Sequence, residues 1–313
     1  MIRSAALQGH LLMILSTVLV ATSFPVGAAI AGGMDPVVLT FLRFSLAALL
    51  LAPIVVLRYG IGLPSWRDAL RYGVLSACLV GFFWAMFEAL RHTSALNGAA
   101  IFTLTPMITA WFASLILRER ISNVACWALI AGMVGALWVV FRGDVNALLA
   151  LDVGRGDLIF LAGTVSMGLY GPLVKRLHKG EPMAQMTFWT LVFGALWLVI
   201  LAAPRFGDVQ WSEVRGEVYT GIAYLAVFTT IVTFFIVQWS TVRIGPAKAM
   251  SYTYLNPSLV FVIGLGMGAE AWTQNFIPGF LLSLVATSIF LGARAPNMKP
   301  ERLRDIPCPS TKA

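Results

Sequence analysis

The sequence predicts an all-α integral membrane protein of ten transmembrane helices, arranged as two inverted five-helix repeats. Three observations carry that prediction. The chain is 59% hydrophobic and only 12% charged, with a mean hydropathy of +0.84, far from the roughly one quarter of charged residues in soluble domains. Ten apolar runs recur along its 313 residues, near or above the roughly 17 to 25 residues that cross a bilayer. The fourth and ninth of these runs match one another at a fixed offset of 151.

The runs lie at about 11–31, 36–57, 69–90, 95–117, 123–141, 158–174, 184–203, 218–240, 246–268 and 275–292. They are continuously apolar rather than alternating, so helices, whose backbone hydrogen bonds close within one segment, are expected instead of barrel strands. The longest connection, around 142–157, and the polar tail from Arg294 are too short to fold a core of their own. The expected units are a first repeat at 1–145, a second at 146–294 and a tail at 295–313. Arg3 and the small residues Ala28 to Ala31 raise a signal-peptide reading. The apolar stretch is nearly twice as long as a signal core, and the repeat needs it as a helix, so it is retained.

The net charge of +8 does not point to nucleic acid, because the basic residues are spread over alternate loops instead of one surface. With a cytoplasmic amino terminus, fifteen Lys and Arg residues fall on the cytoplasmic side and five on the other, which places both termini in the cytoplasm. Arg43 and Lys248 remain, both inside helices. Cys78, Cys126 and Cys308 form no disulfide framework, and His10, His92 and His178 have no ligand spacing. No metal or cofactor is therefore expected. The partners implied are a small-molecule substrate and the lipid bilayer, and a homodimer is compatible with the chain.

At the offset of 151, Leu104, Pro106 and Glu119 fall on Leu255, Pro257 and Glu270, and Ser122 falls on Thr273. An odd number of helices per half turns the second half over, so Glu119 and Glu270 are expected at opposite faces. Inverted repeats are typical of secondary transporters, whose substrate site lies near the midplane between the repeats.

These residues resemble the EamA branch of the drug/metabolite transporter superfamily over nearly the whole chain. The first run holds VATSFPVGA, residues 20–28, with Thr22, Ser23, Phe24, Pro25 and Gly27 as the family commonly has them. The second has Arg43 followed by Ala47; the fourth and ninth carry Pro106 with Glu119 and Pro257 with Glu270; the sixth begins Gly156-Asp157. Val20 and Ala28 depart from the tryptophan and lysine often found there. The resemblance implies a central cavity lined mainly by helices 1, 3, 4, 6, 8 and 9, and transport of small metabolites, often outward.

Within the ninth run, Lys248, Tyr252 and Asn256 are spaced by four and so form one polar stripe on a helix. Exposing it to lipid is costly, so it is expected to face the bundle or a cavity. Its repeat equivalents are Asn97, Ile101 and Thr105. Lys248 reads either as a substrate ligand or as a lysine snorkelling to the interface. Pro257 is expected to free a carbonyl near Thr253. Arg43 reads as a structural residue bonding carbonyls of neighbouring helices, and Glu88 as either a cavity carboxylate or a partner of Arg91. Trp84 and Tyr170 are aromatic candidates for the cavity, against the plainer reading of packing. Glu119 and Glu270 end helices just before Ser122 and Thr273, which suits turn roles. Pro25, Pro106 and Pro257 join Arg43, Glu119 and Glu270 as structural or gating candidates.

No HExxH and no Walker sequence is present. Gly154-Arg155-Gly156-Asp157 spells GxGD, yet no helix interior holds the facing aspartate that an intramembrane protease needs; Asp157 reads as the cap of the sixth helix. The expected function is thus non-enzymatic: secondary transport, with export of an amino-acid-like metabolite favoured over efflux of lipophilic cations. A membrane-embedded lipid enzyme is the alternative of another class.

Overall fold

The computed structural model describes residues 2–30, 32–60, 62–89, 92–93, 95–150, 154–268 and 271–293, with the side chains of 2–6, 24, 28, 95–97, 99 and 148 outside that description. Glu270 and the 295–313 tail lie outside the described residues. Among those described the chain is helical without a strand.

The spans follow the ten apolar runs. The first three are α1 (Ile2–Ile30), α2 (Pro36–Tyr59) and α3 (Trp66–Ala89). The fourth is broken into α4 (Ala95–Phe102) and α5 (Thr105–Ile116), and the fifth is α6 (Asn123–Val140). A short α7 (Val145–Leu149) lies in the connection to α8 (Arg155–Leu177), the sixth span, and α9 (Met183–Ala202) is the seventh. The eighth joins α10 (Gly216–Ala226) to α11 (Thr233–Ile244) through a π-helical segment at Val227–Val232. The ninth joins α12 (Pro246–Ser251) to α13 (Asn256–Gly266) through a 3-10 turn at Tyr252–Leu255, and α14 (Phe276–Gly292) is the tenth. Among the described residues, seven spans are each long and apolar enough to cross a membrane unaided; the fourth and ninth are interrupted and the tenth is short.

Local chemistry sets the ends. Asp35 accepts from the backbone N–H groups of Val37 and Val38, with Pro36 at the first turn of α2. Ser122 accepts from Ala125 and starts α6. At α8 the cap position belongs to Gly154 rather than Asp157: Asp157 sits three residues on, and its Oδ2 accepts from the Gly154 N–H at 2.8 Å. Gly245, at φ +94°, makes the sharp joint between α11 and α12 that a side chain would resist.

The pairing of spans is unchanged when the two halves are exchanged. α3 packs on α8 as α1 packs on α10 and α11, while α2 with α9, α5 with α12 and α6 with α14 pair with their own equivalents. Equivalent spans run in opposite directions. Trp138 near the end of α6 donates to the carbonyl of Asn275, just before α14 begins, at 2.8 Å, and Ala125 near the start of α6 shares a cluster with Phe290 near the end of α14. Likewise Asp35 before α2 meets Arg205 after α9, and Phe44 lies against Gly194. The face where α1 begins and α14 ends is called terminal here, and the opposite face distal.

Candidate functional site

The middle of the bundle is marked by the two broken spans. Their second halves begin at Thr105 and Asn256, the same offset of 151 that relates the sequences. Pro106 and Pro257 sit in the first turn of each half-helix, where a missing N–H costs nothing. Just before them the chain tightens: Thr103 and Leu104 bond back three residues, and Tyr252–Leu255 forms the 3-10 turn. Each half-helix thus starts inside the protein, and its positive dipole end points at the interior.

The turn also changes the polar stripe. Lys248, Tyr252 and Asn256 do not share one continuous helix, because Tyr252 opens the 3-10 segment between α12 and α13. Lys248 Nζ donates to the carbonyl of Leu291 at 2.7 Å, satisfying one of the last carbonyls of α14 at the terminal face. The Tyr252 hydroxyl lies 2.9 Å from His10 Nδ1 and links the ninth span to the first. Asn256 is buried, and its Oδ1 has no partner. The Thr253 carbonyl expected to be freed by Pro257 accepts the Asn256 N–H instead, since the 3-10 turn shortens the loop of hydrogen bonding by one residue. Asn97 belongs to α4, but its side chain lies outside the description.

Arg43 is 5% exposed and sits between the second, third and eighth spans. Its Nε donates to Thr230 Oγ1 at 2.6 Å, its Nη2 to the Thr229 carbonyl at 2.8 Å and to Thr229 Oγ1 at 3.2 Å, and the guanidinium lies 4.9 Å from the ring centre of Phe83. Both threonines belong to the π-helical segment, where Thr230 Oγ1 also donates to Leu225 O. Tyr170 is fully buried: its hydroxyl accepts from Gln238 Nε2 at 2.8 Å, and Gln238 Oε1 accepts from Thr187 at 2.6 Å, which knits spans six, seven and eight. Pro25 lies inside an unbroken α1, one turn beyond Thr22, whose hydroxyl is 2.7 Å from that of Tyr224.

Trp84 and Glu88 are placed elsewhere. Trp84 is 39% exposed on the face of α3 that also carries Leu70 (63%) and Val74 (41%), whereas Phe83 turns inward to Arg43. Both residues line a small, partly enclosed pocket with Thr40, Phe87, Leu198 and Arg205 near the distal face. Glu88 pairs with His92 at 3.4 Å; Arg91 lies outside the described residues.

The terminal face is fastened by charge. Lys175 Nζ, near the end of α8, is 2.5 Å from Glu119 Oε1, just past the end of α5. Arg71 donates to the Leu177 carbonyl at 2.8 Å and pairs with Glu181 at 3.1 Å, while Lys179 pairs with Asp68 at 2.8 Å. Burial pushes the Glu181 carboxyl up, but the His178 ring at 3.5 Å, hydrogen bonds from backbone N–H groups and the Arg71 charge outweigh it and bring the pKa to about 2. Gln238, Thr187, Lys175 and Glu181 were not singled out by sequence; the available signal was the presence of Gln238 and Thr187 inside apolar runs.

The EamA-like transporter family matches the chain twice, over residues 7–141 and 154–292. The chain belongs to the EamA-like transporter family. The two matches fall one on each set of five spans, and the family places the protein in the drug/metabolite transporter superfamily. Among its relatives, the uncharacterized transporter YyaM of Bacillus subtilis is 30% identical over 245 residues, covering 77% of this chain and 80% of that one. The uncharacterized inner membrane transporter YedA of Escherichia coli is 23% identical over 274 residues, covering 85% and 86%. A solved structure titled "Crystal structure of protein" superimposes with a TM-score of 0.73 at 16% identity, covering 92% of this chain and 96% of that one, which is a likeness of fold. This EamA-like protein is a multi-pass membrane transporter.

Proposed function

We propose that this transporter exports a small metabolite across the cytoplasmic membrane by alternating access, with both termini in the cytoplasm. The observation that carries the reading is the pair of interrupted spans, four and nine, whose breaks are related by the repeat and whose half-helix starts point at the interior. The fastening of the terminal face by Lys175 with Glu119 supports a state closed there, from which the two halves rock to open it.

The substrate class favoured is an amino-acid-like metabolite. Its support is the sign of the interior charge: the buried charged candidate, Arg43, is a cation, as is the half-buried Lys248, and half-helix amino termini also favour a negative group. The Leu291 carbonyl occupies the Lys248 amine in this state, so the reading does not assign the carboxylate to Lys248. Efflux of lipophilic cations is second, favoured by the aromatic and acidic side chains of Trp84, Phe87 and Glu88, which line one small pocket.

Reconstituted vesicles loaded with unlabelled amino acid should take up the labelled form by counterflow, and empty vesicles should not. Absence of counterflow across an amino-acid and organic-cation panel would overturn the transport reading. For orientation, single cysteines at Arg67 and Gln210 should label from opposite sides of intact cells, with Gln210 outside; labelling of both from outside would overturn the assignment of the termini.

A further inference from the structure

Arginine keeps its charge in proteins and carries five N–H donors, one on Nε and two on each Nη. In Arg43 the donors are unequally used. Nε and Nη2 are spent on Thr230 and Thr229 of the π-helical segment, and Phe83 covers a ring-like face of the guanidinium. Nη1 makes no hydrogen bond, and no carboxylate of the described residues lies within 4 Å of the group.

Arg71 shows what the same protein does with a buried arginine that has only a structural task. There Nη1 donates to Leu177 O, Nη2 to the Tyr72 hydroxyl, and Glu181 and Asp68 supply negative charge at 3.1 and 3.5 Å. Arg71 Nε is sealed from its surroundings without a partner, whereas Nη1 of Arg43 is not sealed and the residue keeps 5% of its surface accessible. An uncompensated guanidinium inside a membrane span is costly, and an acid on a neighbouring helix would have relieved it. The charge has instead been left open while its orientation is fixed by two threonines and an aromatic ring. A π-helical segment, which holds those threonines, is a feature that recurs at functional sites.

We propose that the Nη1 edge of Arg43 is the anion-recognition point of the transport site and takes the carboxylate of the substrate. The proposal rests on the transport reading and deepens it, because it makes a carboxylate a requirement. With Nε and Nη2 held by the eighth span, the open Nη1 presents two N–H groups in a fixed plane, which a carboxylate oxygen accepts and a neutral amide satisfies poorly. Recognition is then preorganised, since the guanidinium does not have to be ordered on binding.

The test uses purified full-length protein and matched probes: L-leucine, L-phenylalanine and L-lysine, each beside its carboxamide, read by thermal shift and by direct binding. At least one acid should stabilise the protein and bind tenfold or more tightly than its amide. Arg43→Lys, which keeps a charge but lacks the Nη1 edge, should lose that preference while amide affinity is unchanged. If Arg43→Lys does not fold, Lys248→Met decides: an acid preference kept in that variant supports the Arg43 site, and its loss at unchanged stability overturns it. Equal binding of every acid and its amide, or an unchanged acid preference in Arg43→Lys, overturns the proposal. Counterflow separates the two readings: carboxylate-independent flux keeps the transporter and removes the Arg43 site, whereas acid-selective binding without flux keeps the site and removes the transporter.

Discussion

Gly135 of α6 lies directly against Ser283 of α14: a β-carbon on the glycine would stand 2.6 Å from the Ser283 backbone nitrogen and 2.8 Å from the Gly279 carbonyl. Both neighbours include backbone, which cannot swing aside, so Gly135→Ala must push the fifth and tenth spans apart. Overpacking of this kind costs about 1–3 kcal/mol. The expected result is a lowered thermal midpoint for Gly135→Ala, with Gly266→Ala, which meets nothing within 4 Å, close to wild type.

The Lys175 and Glu119 side chains are each 27% exposed, so their pair is neither free in water nor sealed. Pairs of this kind are worth about 0.3–1 kcal/mol, a roughly two- to fivefold effect on a two-state equilibrium. Glu119→Gln and Lys175→Met should each raise the reactivity of a Thr109→Cys probe towards a thiol reagent added at the terminal face. Exchanging the two charges, Glu119→Lys with Lys175→Glu, should return it towards wild type.

Lys248 donates to one of the last carbonyls of α14, a position where a cation also meets the negative end of a helix. Lys248→Met is therefore expected to lower the thermal midpoint and to leave acid binding within about twofold, because charge-assisted recognition worth about 1.5–3 kcal/mol is assigned to another residue. A tenfold loss of acid binding at unchanged stability would return the carboxylate to Lys248.

Glu181 has a pKa of about 2 in the folded protein, below the ~4.3 of a free glutamate. A depressed carboxyl stabilises the fold above its unfolded pKa, and that contribution disappears as pH falls through the folded value. The thermal midpoint of wild type should thus be flat in this respect from pH 7 to about 5 and drop below it. Glu181→Gln should be less stable at pH 7 and show a smaller acid-side drop, measured by nanoscale fluorimetry in detergent.

Much of this architecture was legible in the chain. Continuous apolar runs gave every span its place, and Leu104, Pro106 and their equivalents Leu255 and Pro257 marked where two spans break, because proline punctuates locally. Side-chain direction was less accessible. The i, i+4 spacing of Lys248, Tyr252 and Asn256 assumes an unbroken helix, and the 3-10 turn withdrew that assumption. For Trp84 and Glu88 the sequence left a cavity role and an interface role both open, because the rotation of α3 is set by what Phe83 packs against, which periodicity does not reveal. Lys175 with Glu119, and Tyr170 with Gln238, join residues far apart in sequence that no periodicity connects.

At the other face a different pair is described, between Asp35 before α2 and Arg205 after α9. The repeat maps Glu119 onto Glu270, and the sixth span, which supplies Lys175, onto the first; yet from Phe24 to Ile30 the distal end of the first span contains no cation. A duplicated scaffold has kept one half of a latch twice and the other half once. In the proposed alternating-access cycle, the Lys175–Glu119 pair joins the sixth and fourth spans when the terminal face is closed, and the first span offers no cation at its end for the equivalent pair. On that cycle, lowering ionic strength, which strengthens a partly exposed ion pair, is expected to favour the state closed at the terminal face.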